Sequence, residues 1–100
     1  MPYLICYDIS KNTLRTKIGK KIIESGLDRI NKSVYLGTIS ESSLTLLEQQ
    51  LALWMKQKGQ QHDSLIIIHV NTQDIRNMRI YGRNDLDKDE LIGEKSTLIL

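Results

Sequence analysis

A chain of 100 residues with a formal net charge of +2 and one cysteine makes one domain with a modest core. The composition excludes a disulfide-stapled scaffold, because Cys6 has no intrachain mate, and a membrane-spanning helix, because no apolar run approaches the roughly 18 residues a span needs. That lone thiol and the lack of a signal-peptide pattern give the expectation of a cytoplasmic protein with no membrane partner.

The first stretch, Tyr3 to Asp8, is a short run of β-formers ended by one carboxylate and then by turn residues. Alternation puts Leu4, Cys6 and Asp8 on one face and Tyr3, Ile5 and Tyr7 on the other. Both faces are dry up to Asp8, and Cys6 reads as a small core residue. Helices cover one face of such a sheet. The other is expected to be covered by a second copy of the chain. Asn12 then reads as the cap of a helix running from Thr13 to about Ser25. Leu14, Ile18 and Ile22 form its buried stripe, and Lys17 and Lys20 lie on the far side. Gly26 suits the left-handed residue that ends it.

Leu27 to Ile39 is too interrupted for one flat strand. It reads as strands over about 27–31 and 33–39 around an Asn31-Lys32 turn, or as a longer strand with a bulge. A second helix begins near Ser40, buries Leu44, Leu47, Leu51, Trp54 and Met55, and closes at Gly59. Ser64 to Val70 is apolar on both faces and is expected to be a central strand. This order predicts an α+β, ferredoxin-like βαββαβ domain over 1–100, with 72–100 a variable C-terminal extension. In that extension Asp74 to Met78 suggests one helical turn. Met78 to Gly82 and Leu98 to Leu100 suggest extra strands, the last able to pair with an edge of another protomer.

Charge is unevenly spread. Between Lys11 and Lys32, seven cations face only Glu24 and Asp28, an excess of five that makes a footprint for a polyanion. Asp8, ending a buried strand, is either a turn aspartate or a metal ligand. One carboxylate is a poor site for a hard dication, but Mg²⁺ keeps waters and takes one or two carboxylates. A two-fold axis supplies the second, because a residue near the axis meets its own copy. Zinc is not expected, since His62, His69 and Cys6 lack ligand spacing. Asp85, Asp87 and Asp89 imitate the start of an EF-hand loop. The imitation fails because Glu90 stands where the glycine belongs and Ser96 where the bidentate Glu belongs. Phosphate-binding loops, dinucleotide fingerprints and nucleophile elbows are absent.

The Tyr-Leu-Ile-Cys-Tyr-Asp-Ile strand, an Arg seven residues after the Asp, the Gly26 to Tyr35 segment and the late Asp-Ser-Leu-Ile-Ile-Ile strand resemble the CRISPR-associated Cas-two family. The resemblance runs in order over about the first 70 residues. It implies a ferredoxin-like homodimer with facing sheets, acting in CRISPR adaptation. Such a dimer bridges integrase subunits and holds incoming DNA. It also implies a Mg²⁺-dependent endonuclease on single-stranded RNA or double-stranded DNA, with one ion shared by the two Asp8 residues as catalytic and metal-binding groups. Family positions that meet nucleic acid fall on Tyr7, Arg15, Lys17, Arg29, Ser33 and Tyr35, and the basic helix adds Lys20. Lys17 stands where some members carry Arg, and Tyr35 where Phe is common; a lysine cannot make the forked phosphate contact. Two functions follow: a nuclease, or a DNA-binding adaptor that does no chemistry. A small-molecule regulatory domain on the same fold lacks a visible ligand motif.

Overall fold

The computed structural model describes residues 1–82 and 85–94. Its elements are β1 (Pro2–Asp8), α1 (Asn12–Glu24), β2 (Asp28–Asn31), β3 (Val34–Thr38), α2 (Glu41–Lys58), β4 (Ser64–His69), α3 (Thr72–Arg76) and α4 (Lys88–Leu91). The four strands form one sheet in the order β2-β3-β1-β4, with every neighbouring pair antiparallel. Each helical crossover therefore skips one strand, as the βαββαβ reading requires.

Helices α1 and α2 pack on one face. Ile5, Tyr35, Leu14, Ile18, Ile22, Leu44, Leu47 and Leu51 form the main core there, with Tyr3, Tyr7, Leu65 and Ile67 against it. The expected α1 stripe is the buried one. Gly26 ends the helix with φ +102°, a value that suits a residue without Cβ. Lys11 occupies the N-cap position without a side-chain cap, while Asn12 turns its amide toward Arg15. Ser40 caps α2 by accepting from the Ser43 N–H at 3.2 Å.

Three expectations are corrected. First, among the described residues β4 is an edge strand, not a central one. Leu65 and Ile67 pack toward the helices, while Ile66 and Ile68 on the opposite face stay 49% and 48% exposed. Two-faced apolarity here marks an open face rather than a central position. Second, the hairpin turns at Lys32 and Ser33, and Ser33 rather than Asn31 takes the positive φ, +62°. Asn31 instead accepts the Lys32 N–H through its side chain, and a register shift lies between Arg29 and Asn31. Third, Met78 to Gly82 forms no strand. An Asn71–Asp74 capping box starts α3 directly after β4 and sends the chain across the open face. Ile75, Leu91 and Ile92 bury themselves there on Leu36, with Leu4, Ile30, Val70 and Met78 around them. The Thr38 hydroxyl donates to the Leu91 carbonyl at 2.9 Å and ties α4 to β3. The expected strand at Leu98 to Leu100 lies outside the described residues.

The open face is thus covered at one end by the chain's own tail. Among the described residues, the row Ile66–Cys6–Val34, in register across β4, β1 and β3, is left half exposed at Ile66 and half-buried at Cys6 and Val34, with Ile68 half exposed and Asp8 exposed at the strand end. Cys6, expected as a small core residue, is instead a free, half-buried thiol on this strip and belongs to neither core cluster.

Candidate nucleic-acid interface

Strand β1 carries two adjacent side chains to opposite sides of the sheet. Tyr7 points to the helices, where its ring stacks on Tyr35 with centroids 5.9 Å apart and the two hydroxyls 3.0 Å apart. The Tyr7 hydroxyl also reaches the Arg15 carbonyl at 3.4 Å. Burial chiefly, and then the bond to Tyr35, push the Tyr7 phenol up to about 12, although Ser33 and Arg29 pull the other way. At neutral pH this phenol is a hydrogen-bonding group, not a base.

Above the pair, α1 presents Gly19. A Cβ there would stand 2.6 Å from the Tyr35 hydroxyl and 3.0 Å from that of Tyr7. The missing side chain lets the helix settle on the rings and leaves a concavity of about 430 Å³ beside them. Its walls bring together Tyr7, Arg15, Lys20, Arg29, Ser33 and Tyr35, and add Lys32, which the sequence reading counted in the basic footprint but not among the site residues. Six of the seven expected nucleic-acid residues therefore meet at one place although they come from four segments. Lys17 does not join them. Its ammonium lies 4.4 Å from the centroid of the Trp54 ring, on the α2 side of α1, where the two make a cation–π contact.

Asp8 lies apart from this concavity, in a shallow hollow with Ser10, Lys11, Gln60, His62 and Asp63. Asp63 is the other carboxylate of this hollow, but its oxygens are engaged. Oδ1 accepts from the Ser10 N–H and hydroxyl, each at 3.0 Å, and Oδ2 accepts from the Gln60 N–H at 2.8 Å. The bonds from the Gln60 and Ser10 amides hold its carboxyl below the ordinary value. Among the described residues no group of three or more His, Cys, Asp or Glu is arranged for a metal. Among the described residues, this leaves Asp8 as the carboxylate of the hollow not engaged by the backbone amides that hold Asp63. That donor set fits half of a water-rich Mg²⁺ site and does not fit a closed zinc site.

Sequence reading missed Asp63, whose partner Ser10 lies 53 residues away. A polar loop ahead of a strand gives no sign of which distant backbone it will hold. Gly19 was also missed; a glycine inside an otherwise helical pattern was the available signal.

The fold, with its tyrosine-floored basic hollow and strand-ending carboxylate, defines a small ferredoxin-like α+β protein. It is similar to the crystal structure of Streptococcus pyogenes Cas2 at pH 6.5, with a TM-score of 0.69 at 17% identity over 82% of this chain and 100% of that one. The family model for CRISPR associated protein Cas2 matches residues 1–78, and the chain belongs to that family. It is 31% identical to the CRISPR-associated endoribonuclease Cas2 2 of Synechocystis over 85 residues, 84% of this chain and 87% of that protein. It is 40% identical to the CRISPR-associated endoribonuclease Cas2 1 of Francisella tularensis subsp. novicida over 47 residues. That match spans about half of each protein, 47% of this chain and 48% of the other.

Proposed function

We propose that this protein works as a homodimer in CRISPR adaptation, gripping nucleic acid and cleaving phosphodiester bonds with Mg²⁺ at paired Asp8 carboxylates. The observation that carries this reading is the position of Asp8 at the border of the uncovered strip of Cys6, Val34, Ile66 and Ile68. A second copy laid on that strip by a two-fold axis hides its apolar side chains and sets one Asp8 beside the other. The two carboxylates would hold the ion, and the ion when bound supplies a polarised phosphoryl oxygen and an activated water. The basic concavity supports the binding half of the proposal: Lys20, Arg29 and Lys32 surround two tyrosine rings, a lining suited to phosphate. The names of the relatives favour RNA as a substrate, and integrase subunits are the expected partners of the dimer.

A second reading is an adaptor that binds double-stranded DNA and does no chemistry. It is favoured by the separation of the basic concavity from the hollow that holds Asp8. Asp8→Asn divides the two. Under the nuclease reading the variant loses Mg²⁺-dependent cleavage by about a hundredfold or more and keeps nucleic-acid affinity. Equal cleavage by variant and native protein, or none by either, leaves the adaptor.

A further inference from the structure

The peptide unit joining Ile9 to Ser10 lies one residue beyond Asp8, and charged side chains hold both of its polar atoms. Arg15 Nη1 donates to the Ile9 carbonyl at 3.0 Å. The Ser10 N–H donates to Asp63 Oδ1 at 3.0 Å. A guanidinium thus sits at the oxygen end of the peptide dipole and a carboxylate at the N–H end, so both bonds are charge-assisted. Each charged group has another hold. Arg15 Nη2 donates to Asn12 Oδ1 at 2.8 Å, and Asp63 also takes the Ser10 hydroxyl and the Gln60 N–H. The neighbouring residues are fixed as well: Ile9 is 3% exposed, and Ser64 pairs with Asp8 across the sheet.

We propose that Arg15 and Asp63 are matched positioning residues that lock the Ile9–Ser10 peptide plane, and with it the direction in which Asp8 presents its carboxylate. The proposal rests on the reading of Asp8 as the functional carboxylate. It changes the role of Arg15. A guanidinium that spends two nitrogens on its own loop is not the forked phosphate contact that the family resemblance implies. The charge of the concavity that meets phosphate then belongs to Lys20, Arg29 and Lys32.

Amide exchange at Ser10, the salt dependence of nucleic-acid binding and cleavage kinetics test this on the intact protein. Arg15→Ala and Asp63→Ala each speed Ser10 exchange by about tenfold or more, and the double variant adds little, because both side chains hold one peptide unit. Arg15→Lys and Asp63→Asn, which keep part of the hold, fall between. Arg15→Ala leaves the slope of log affinity against log salt unchanged, whereas Lys20→Ala lowers it by about one. Asp63→Ala lowers kcat about tenfold or more and leaves KM within about twofold. Unchanged Ser10 exchange in either single variant overturns the clamp. So does a loss of about one unit of salt slope in Arg15→Ala, or an unchanged kcat in Asp63→Ala. If the native protein shows no Asp8-dependent cleavage, the nuclease reading alone fails. Exchange, salt slope and the ¹³C shift of the Asp8 carboxyl in Asp63→Ala, which moves if the loop positions it, then decide the clamp.

Discussion

Tyr7 is held well away from its ordinary chemistry. Its phenol rises from a value near 10 to about 12 because the folded chain buries it and bonds it to Tyr35. The neutral form is thus favoured in the folded state over the unfolded one. Its contribution to stability is complete below pH 10 and is lost as the pH climbs from 10 toward 12, where the unfolded chain gives up the proton first. A spectrophotometric titration of the tyrosines should show one phenolate appearing late, and Tyr7→Phe should remove that step. The same variant should flatten the fall in stability across that window; an undiminished late step assigns it to another tyrosine. The sequence placed Tyr7 beside Asp8, but the shift arises from Tyr35, 28 residues away, and from the helix above both.

The seating of α1 on the sheet depends on one missing methyl group. Replacing a glycine inside a helix by alanine ordinarily gains about 0.8–1.0 kcal/mol in propensity. At Gly19 the new Cβ would press on the Tyr35 hydroxyl at 2.6 Å, and Tyr35 is 4% exposed, so its ring has little room to retreat. Overpacking of this kind costs about 1–3 kcal/mol and outweighs the gain. Gly19→Ala should therefore destabilise the native chain in urea, and should become neutral or stabilising when Tyr35→Phe removes the hydroxyl. Stabilisation of the native chain by Gly19→Ala alone would show that the helix shifts freely over the rings. The α1 stripe and its Gly26 stop were legible because they follow local rules of spacing and φ. The place of β4 was not. A strand's apolar pattern records that both faces are apolar and is silent on whether a neighbouring strand flanks each edge or a face stays open, as that of Ile66 and Ile68 does. The tail was misread for a related reason: alternation at Met78 to Tyr81 fits a strand, but burial of Ile75 and Leu91 on Leu36 carries the chain across the sheet instead.

For the molecule as a whole, the uncovered strip sets the expected assembly. Ile66 is half exposed in the single chain, so Ile66→Asp should change the protomer's own stability little. In a dimer that buries the strip, the same carboxylate loses its water without a partner, which costs several kcal/mol. Sedimentation should show self-association weakened by about a hundredfold or more in Ile66→Asp. A native chain that sediments as a monomer at tens of micromolar would end the paired-Asp8 reading. Burial of Leu36 by the tail, with Leu4 partly buried beside it, already narrows the surface open to a second copy to Ile66, Ile68 and the end nearest Asp8.

Taken alone, the amino-acid order determined helices α1 and α2, the strand alternation, the βαββαβ succession and the family, because each is written in neighbours a few residues apart. It also named most of the residues that meet in the basic concavity. Tertiary structure decided which of them face one another: it separated Lys17 from Lys20, turned Asp63 into a holder of Ser10, and gave half of the open face to the chain's own tail. Those outcomes depend on contacts between residues distant in the chain, 53 positions for Ser10 with Asp63 and for Thr38 with Leu91, and such contacts leave no periodic trace.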